Sequence, residues 1–202
     1  MEKITKEGKV FEEVLGEILK ENHLEEKDVF YKQNEKKGGL FKGSTIEVIV
    51  YKKDDVYHEI EDYLKEIITG LGLEVSFELK KSDEQTVIKM YSNNNPLLIG
   101  KNGQTLRSLE VLVKQMIHTK YNMFVKIVLD VENYKEKKDA FLERFAKQMA
   151  NDVVRTNTEI HLDNMTSYER RIIHNALTNF SGVTAESEGE EPNRHIVIKP
   201  SK

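Results

Sequence analysis

The sequence predicts an α+β protein built from three small modules, and three observations support this fold class. Hydrophobic residues form 38% and charged residues 33% of the 202-residue chain, so each hydrophobic core must be modest. Apolar residues change between helical and strand spacing along the chain, with no internal repeat and no long linker. Two short motifs follow one another, a Gly-x-x-Gly loop at residues 100–103 and an Arg-x-x-x-His pair that begins at Arg170. We place the three modules at residues 1–52, 54–133 and 134–202.

Composition also restricts the compartment and the chemistry. No apolar run approaches the roughly 18 residues that span a bilayer, and the first residues lack the apolar core of a secretory signal. The chain has no cysteine, which excludes a disulfide framework, a thiol nucleophile and a thiolate metal site. We therefore expect a cytoplasmic protein.

The first module, residues 1–52, is predicted to be an α/β unit. Its apolar pattern gives one amphipathic helix and two strands, at residues 10–19, 28–33 and 44–51. A basic, glycine-rich turn at residues 36–43 joins the two strands. This turn is either a hairpin loop whose Leu40 and Phe41 pack back on the core, or a protruding loop that contacts a partner.

The second module is predicted to have the order helix, strand, strand, helix, loop, helix, strand. Its first helix ends at Gly70, where glycines interrupt the apolar pattern. The elements that follow are strands at residues 73–79 and 86–91, a short helix opening at 97–99, a longer helix after Gly103 and a strand at 125–131.

The third module is predicted to start with a helix and to end with a strand. Thr166 and Glu169 fit a capping box, which marks the start of a second helix. The expected core residues are Phe141, Leu142, Phe145, Met149 and Val153 of the first helix, and Ile173, Ala176, Leu177 and Phe180 of the second. An acidic loop at residues 187–193 should precede a strand at 195–198.

The Gly-x-x-Gly loop has the chemistry of a phosphate-backbone site. Gly100 and Gly103 lack the Cβ that would hold a phosphate backbone away, and the helix that follows directs its amides and partial positive charge at the phosphate. Lys101 adds a cation, and Asn102 and Gln104 offer hydrogen bonds. An apolar floor for bases is expected from Leu98, Ile99 and Leu106. The alternative for this short motif alone is a plain helix–helix turn. A Walker phosphate loop is excluded, because its lysine must directly follow the last glycine.

The order of elements, with Ile99–Gly103 at its centre, resembles a KH domain of the bacterial, type II arrangement. The resemblance implies a three-stranded sheet with helices on one face, and a clamp on about four nucleotides of single-stranded nucleic acid. It implies contacts to the nucleic-acid backbone from Gly100, Lys101, Asn102 and Gly103, supported by Gln104, Thr105 and Arg107 at the start of the next helix.

Arg170 and His174 form the second candidate site. They are four residues apart and share one face of a helix, while Ile173 and Leu177 point toward the core. Arginine grips phosphate through two contacts and stacks on bases, and histidine forms hydrogen bonds or stacks. The alternative for this spacing alone is an exposed helix with ordinary surface charges.

The wider sequence around this pair, residues 169–174 followed by 187–194, resembles an R-3-H domain, a family that binds single-stranded nucleic acid. It departs from the family pattern at Asn164, where a proline commonly precedes the methionine. The resemblance assigns nucleic-acid binding to Arg170, Arg171, His174 and Arg194.

The three modules in this order resemble the bacterial Jag family, whose members are also described as KhpB-type RNA-binding proteins, and residues 1–52 then correspond to its Jag-N module. The resemblance implies a cytoplasmic protein that binds single-stranded RNA or DNA, an RNA chaperone or post-transcriptional regulator linked to cell division and envelope growth. It also implies pairing with a small stand-alone KH protein and a membrane-associated partner reached through residues 1–52. The alternative is a scaffold or adaptor whose N-terminal module recruits a protein partner, with RNA binding secondary.

The charge distribution is consistent with local nucleic-acid sites in an acidic protein. The net charge is −4, yet residues 97–120 contain the cations Lys101, Arg107, Lys114 and Lys120 against the single carboxylate of Glu110. This pattern predicts moderate affinity and weak non-specific binding to duplex phosphate.

Enzyme chemistry has little support in the sequence. Six histidines are scattered without a metal-binding spacing, and no nucleophile elbow is present. We expect a protein that is not an enzyme and has no cofactor and no metal. The alternative is a ribonuclease that uses His174 and His195 as acid and base.

Overall fold

The computed structural model describes residues 3–36, 44–81 and 85–201. These residues form helices and three three-stranded sheets, which confirms the predicted α+β class. The chain divides into two compact units, Met1–Glu132 and Asn133–Lys202. None of the helices in the described ranges is long and apolar enough to cross a membrane.

The first sheet is antiparallel and is covered by one helix. Its strands β1 (Ile4–Gly8), β2 (Val29–Lys36) and β3 (Thr45–Lys52) lie in the order β1-β3-β2. Helix α1 (Phe11–Glu21) packs on this sheet. Their shared core consists of Val14, Leu15, Ile18, Val29, Val48 and Val50. Strand β1 is absent from the prediction because Ile4 is its single large apolar residue.

The predicted glycine-rich turn, residues 36–43, lies outside the described residues except for Lys36. Lys36 pairs with Thr45 at the end of β2, so β2 and β3 are paired up to these two residues. Both interpretations of Leu40 and Phe41 stay predictions.

The second sheet follows the predicted order of elements. Helix α2 (Lys53–Gly70) precedes strands β4 (Val75–Lys81) and β5 (Thr86–Ser92), which pair antiparallel. Helices α3 (Asn95–Ile99) and α4 (Gln104–Tyr121) then cross to β6 (Ile127–Val131), which pairs parallel to β5. Because α3 and α4 form one crossover connection, the loop between them is held by a packed helix on each side.

The first two sheets belong to one compact unit because residues of the first module contact the second. The Lys32 ammonium donates a hydrogen bond to the carbonyl oxygen of Tyr121, at 2.5 Å, where α4 ends. The rings of Tyr51 and Tyr121 meet edge to face with centroids 5.0 Å apart, and Phe30 lies against Tyr57 in the same manner. The contacts of Tyr121 join α4 to the N-terminal sheet, and that of Tyr57 joins α2 to it.

The second unit contains two helices and the third sheet. Helices α5 (Tyr134–Thr156) and α6 (Ser167–Leu177) pack together and against the antiparallel strands β7 (Ile160–His161), β8 (Val183–Glu188) and β9 (His195–Pro200), in the order β7-β9-β8. The buried core includes Leu142, Ala146, Ala150, Val153, Ile173, Leu177, Ile196 and Ile198.

Two predictions for this unit need correction. Phe141, expected in the core, is 51% exposed and stacks on Phe145 with ring centroids 5.9 Å apart. Leu142 begins the buried stripe of α5, and Phe141 lies about 100° away from it around the helix. The acidic loop predicted from Ser187 starts later, because Ser187 and Glu188 pair with β9 as the end of β8.

Candidate nucleic-acid interface

The first glycine of the Gly-x-x-Gly loop is required by the loop itself. Helix α3 starts with the Asn94 side chain accepting a hydrogen bond from the Leu97 amide and ends at Gly100, where φ is +74°. A Cβ on Gly100 would lie 2.2 Å from Oγ1 of Thr105 and 2.9 Å from its backbone nitrogen. No residue with a side chain fits so close to α4. Packing alone therefore requires glycine at position 100, in addition to any requirement from an approaching ligand.

The two middle residues of the loop are presented to solvent. Lys101–Gly103 form a short 3₁₀ turn in which the Gly103 amide donates to the carbonyl of Gly100, at 3.2 Å. Asn102 and Gly103 both have left-handed backbone angles, with φ of +53° and +77°. Lys101 and Asn102 are exposed, whereas Gly103 is buried. The turn therefore places a cation and an amide at its tip.

Helix α4 begins directly at this turn and leaves its first amides without a side-chain cap. Unpaired amides at a helix N-terminus attract anions through their hydrogen bonds and the helix dipole. Gln104 and Arg107 are exposed in the first turn, and Thr105 is half-buried against Gly100. No described residue forms a salt bridge with Lys101 or Arg107. This arrangement suits a phosphate group.

The predicted apolar floor of Leu98, Ile99 and Leu106 is wrong for two of its three residues. Leu98 is fully buried and Leu106 is 7% exposed, so both belong to the core. Ile99 is half-buried. The apolar residue that α3 exposes is Leu97, at 52%. The short helix turns Leu98 inward, and Leu97 faces solvent instead.

A groove that the sequence did not reveal lies along α4 and β6. It has a volume of about 550 Å³ and includes Val111, Lys114 and His118 of α4. Phe124, in the turn after α4, also lines it and is 92% exposed. The Phe124 ring stacks on His118 with centroids 4.9 Å apart. Lys126 lies beside it at the groove.

The spacing in α4 could have indicated this surface. Arg107, Val111, Lys114 and His118 follow one another at intervals of four, three and four residues, which puts them on one helix face. This face runs from the Gly-x-x-Gly end of α4 to Phe124. It carries two cations, and Lys114 is hydrogen-bonded to Glu110.

In the second unit, the start of α6 is built as the sequence predicted. The Glu169 amide donates to Oγ1 of Thr166 at 3.4 Å, and the Thr166 amide donates to the Glu169 carboxylate at 2.9 Å. The capping box is therefore confirmed. By fixing where α6 begins, the capping box sets the positions of the Arg170 and His174 side chains on the helix surface.

The structure places Arg170 and His174 toward strand β8 and the loop that follows. Arg170 is only 7% exposed, and its Nη2 donates to Glu191 Oε1 at 2.5 Å. Its Nε is buried without a partner in the described structure. His174 Nε2 lies 3.1 Å from Oγ of Ser187. Burial, and secondarily the charge of Arg170, holds the pKa of His174 below its ordinary value, so the imidazole is neutral at pH 7.

The other two arginines have different settings. Arg171 is exposed on α6, while Arg194 is half-buried and its Nε has no partner among the described residues. The Arg194 carbonyl accepts from the amide of Met165 at 3.1 Å. Asn164, where the family pattern has proline, donates to the Asn193 side chain at 3.1 Å. The departure at Asn164 thus supplies a hydrogen bond to the β8–β9 loop.

His174 and His195, the two histidines of the ribonuclease alternative, have different neighbours. His195 Nε2 lies 3.4 Å from Nδ1 of His161, whereas His174 is bonded to Ser187. The structure therefore gives His174 and His195 different partners. Within the described ranges, no group of three or more histidine, aspartate or glutamate residues is arranged to hold a metal ion.

Comparison with known proteins matches the two regions that carry the candidate sites to known domain families. A sequence model of the KH domain matches residues 59–138, and one of the R-3-H domain matches residues 140–200. The RNA-binding protein KhpB of Clostridium symbiosum is 33% identical over 203 residues, covering 98% of this chain and 91% of that protein. The RNA-binding protein KhpB of Bacillus subtilis (strain 168) is 30% identical over 162 residues, covering 79% and 78%. That of Lactiplantibacillus plantarum is 34% identical over 137 residues, covering 68% of this chain and 42% of its own length.

Proposed function

The chain belongs to the KhpB family of RNA-binding proteins, and from this premise we propose that it binds single-stranded RNA in the cytoplasm as an RNA chaperone or post-transcriptional regulator. The observation that carries the proposal is the exposed tip of the Gly-x-x-Gly loop. There Lys101 and Asn102 stand beside the uncapped amides of α4. A phosphate at this position would receive a cation, hydrogen bonds and the positive end of the helix dipole.

We assign the phosphate contacts to Gly100, Lys101, Asn102 and Gly103, with Gln104, Thr105 and Arg107 supporting them. The exposed face of α4 extends this site toward Phe124. Aromatic rings stack on bases of any sequence, and cations along the same face follow the phosphates. The groove beside Phe124 therefore suits bases that follow the nucleotides held by the loop.

The second RNA site in the proposal consists of Arg170, Arg171 and His174 on α6, together with Arg194, which directly precedes β9. Arg171 is the exposed cation of this set. A neutral His174 keeps the ability to accept or donate a hydrogen bond to a base. Arg170 requires a further step, because its guanidinium is bonded to Glu191.

The test replaces Lys101 and Asn102 together with aspartate in the full chain. Two carboxylates would then lie where phosphate is proposed to bind, and repulsion should weaken binding to single-stranded RNA at least about tenfold. Fluorescence anisotropy with a labelled oligonucleotide measures this affinity. The matched control is Lys65→Asp with Asn151→Asp, two exposed positions on α2 and α5 that change the net charge equally. Unchanged affinity in a folded Lys101/Asn102 variant would contradict the assignment.

The proposal also includes the protein partners implied by the family resemblance. These are a small stand-alone KH protein and a membrane-associated partner of residues 1–52, with a role in cell division and envelope growth. A pull-down with and without ribonuclease separates partners held through RNA from partners bound directly. We further propose binding without cleavage, so labelled RNA should stay intact during incubation with metal-free protein.

A further inference from the structure

Arg170 on α6 contacts the loop that joins β8 to β9 through Glu191. Arg170 is 7% exposed, whereas its partner Glu191 keeps 61% of its side chain exposed. The contact thus joins a guanidinium held in the protein to a carboxylate carried on a surface loop. A buried guanidinium needs an acceptor, because an unpaired buried charge is costly.

The carboxylate of Glu191 is a chemical substitute for a phosphate oxygen. Both groups are anions that can accept two parallel hydrogen bonds from one guanidinium. Nη2 of Arg170 is occupied at 2.5 Å, while its Nε is buried and has no partner in the part of the chain that the structure describes. One donor of the guanidinium is therefore occupied by the loop, and another is left without an acceptor.

We propose that Glu191 is an internal competitor for the phosphate site on Arg170. This proposal rests on the proposed function, since it concerns how RNA reaches the α6 site. In the structure the loop supplies the anion for Arg170. When RNA binds, Glu191 turns out to solvent, and a phosphate group takes its place and reaches the Nε that Glu191 leaves unpaired.

The loop offers a close internal control for this proposal. Glu190 precedes Glu191, is exposed, and has the same charge. No side-chain hydrogen bond or salt bridge of Glu190 is formed with a described residue. Replacing either glutamate with glutamine removes one negative charge from the same loop. Only Glu191→Gln also weakens the competing contact, because the amide oxygen of glutamine still accepts a hydrogen bond but carries no charge.

The experiment compares the full wild-type chain with Glu191→Gln and Glu190→Gln by anisotropy with labelled single-stranded RNA. The ion pair is open to solvent only on its Glu191 side. Removing the Glu191 charge should raise the RNA affinity by up to about fivefold, whereas Glu190→Gln should not. In an Arg170→Gln background, Glu191→Gln should produce no more gain than Glu190→Gln. Equal gains for the two glutamates, a weaker affinity for Glu191→Gln, or a gain that persists without Arg170 would each overturn the proposal.

A second measurement avoids any substitution of buried Arg170. The NMR signal of the Arg170 Nε–H group should move on addition of RNA, and it should do so at lower RNA concentration in Glu191→Gln than in the wild type. A signal that does not respond to RNA in either protein would also overturn the proposal. Failure of the wild-type chain to bind RNA would instead contradict the proposed function, so the two failures are distinguishable.

Discussion

At the scale of single residues, Gly100 shows how the conformation of the Gly-x-x-Gly loop depends on one missing side chain. Its φ of +74° and the 2.2 Å approach to Thr105 both exclude a Cβ. We expect Gly100→Ala to lower the free energy of unfolding by about 1–3 kcal/mol, from backbone strain and overpacking. Urea unfolding measures this loss.

The control for that substitution is Gly16→Ala in helix α1. Nothing lies within 4 Å of a Cβ built on Gly16, and the residue is inside a helix. Alanine there should stabilise the protein by roughly 0.5–1 kcal/mol, because glycine is a poor helix former. If Gly100→Ala were as stable as Gly16→Ala, the proposed steric role of Gly100 would be wrong.

His174 gives a prediction about pH. Its pKa lies below 6.5, first because of burial and then because of the positive charge of Arg170. The unfolded chain therefore binds the proton more readily than the folded chain, so stability should fall as the pH drops below about 6.5 and level off below the folded pKa. NMR titration gives this pKa, and urea unfolding across the same pH range gives the stability.

A substitution can separate the effect of the Arg170 charge on the pKa of His174 from the effect of burial. Arg170→Gln removes one positive charge near His174, so the pKa of His174 should rise toward its ordinary value. In His174→Asn, the part of the pH dependence that comes from this imidazole should disappear. A pKa of 6.5 or above for His174 in the wild type would contradict its burial beside the positive charge of Arg170.

At the scale of elements, sequence periodicity predicted helices better than short strands. Helix α2 ends at Gly70 as predicted, and the capping box at Thr166 marks α6 correctly. Strand β7 has two residues and β8 is largely polar, so neither has an apolar alternation to detect. Both strands pair with β9, the central strand of the sheet, whose residues 196–198 are buried.

The two candidate sites also differ in how far the sequence could predict them. The chemistry of the Gly-x-x-Gly tip could be predicted, because it depends on residue types within one turn. The burial of Arg170 and His174 could not, because Glu191, the partner of Arg170, and Ser187, the partner of His174, lie more than ten residues away in the chain. In α6 the helical spacing places Arg170 and His174 on one face, but it does not show that β8 and the following loop meet that face.

The exposed face of α4 leads to a prediction about Phe124. We expect Phe124→Ala to weaken binding to single-stranded RNA about tenfold, since stacking on an aromatic ring commonly contributes this much per base. A side chain that is 92% exposed contributes little to folding, so thermal stability should be unchanged. Anisotropy and thermal unfolding measure the two effects.

Phe141→Ala is the matched control for that prediction. Phe141 is also an exposed phenylalanine in contact with another ring, but it lies on α5 of the second unit. Its loss should leave RNA affinity close to that of the wild type. Equal losses for the two variants would mean that general apolar surface, and not the groove on α4, determines the affinity.

At the scale of the whole molecule, the two candidate sites belong to two units that adjoin at Glu132 and Asn133 without a linker. If one RNA strand reaches both sites, the second binding event occurs at an effective concentration in the millimolar range. Lys101→Asp/Asn102→Asp and Arg171→Asp each leave one of the two sites unchanged. For long oligonucleotides, we expect the affinity of the wild type to be much higher than the combined affinity of two such sites acting independently. A length series measured by anisotropy tests this.

Oligonucleotides of about four nucleotides provide the internal reference, because they fill a single KH site. With these short strands the wild type should bind no better than the stronger of the two single-site variants. The same result at every length would show that the two units bind separate RNA molecules or separate partners.

The hydrogen bond from Lys32 to the last carbonyl of α4 has a consequence for synthesis of the protein. Because synthesis proceeds from the N-terminus, residues 3–36 leave the ribosome before α4 does. The Lys32 side chain is thus already outside the ribosome when α4 emerges, and its ammonium can donate to the Tyr121 carbonyl as soon as this helix is complete. A chain that begins after β3 would have to complete α4 without this partner.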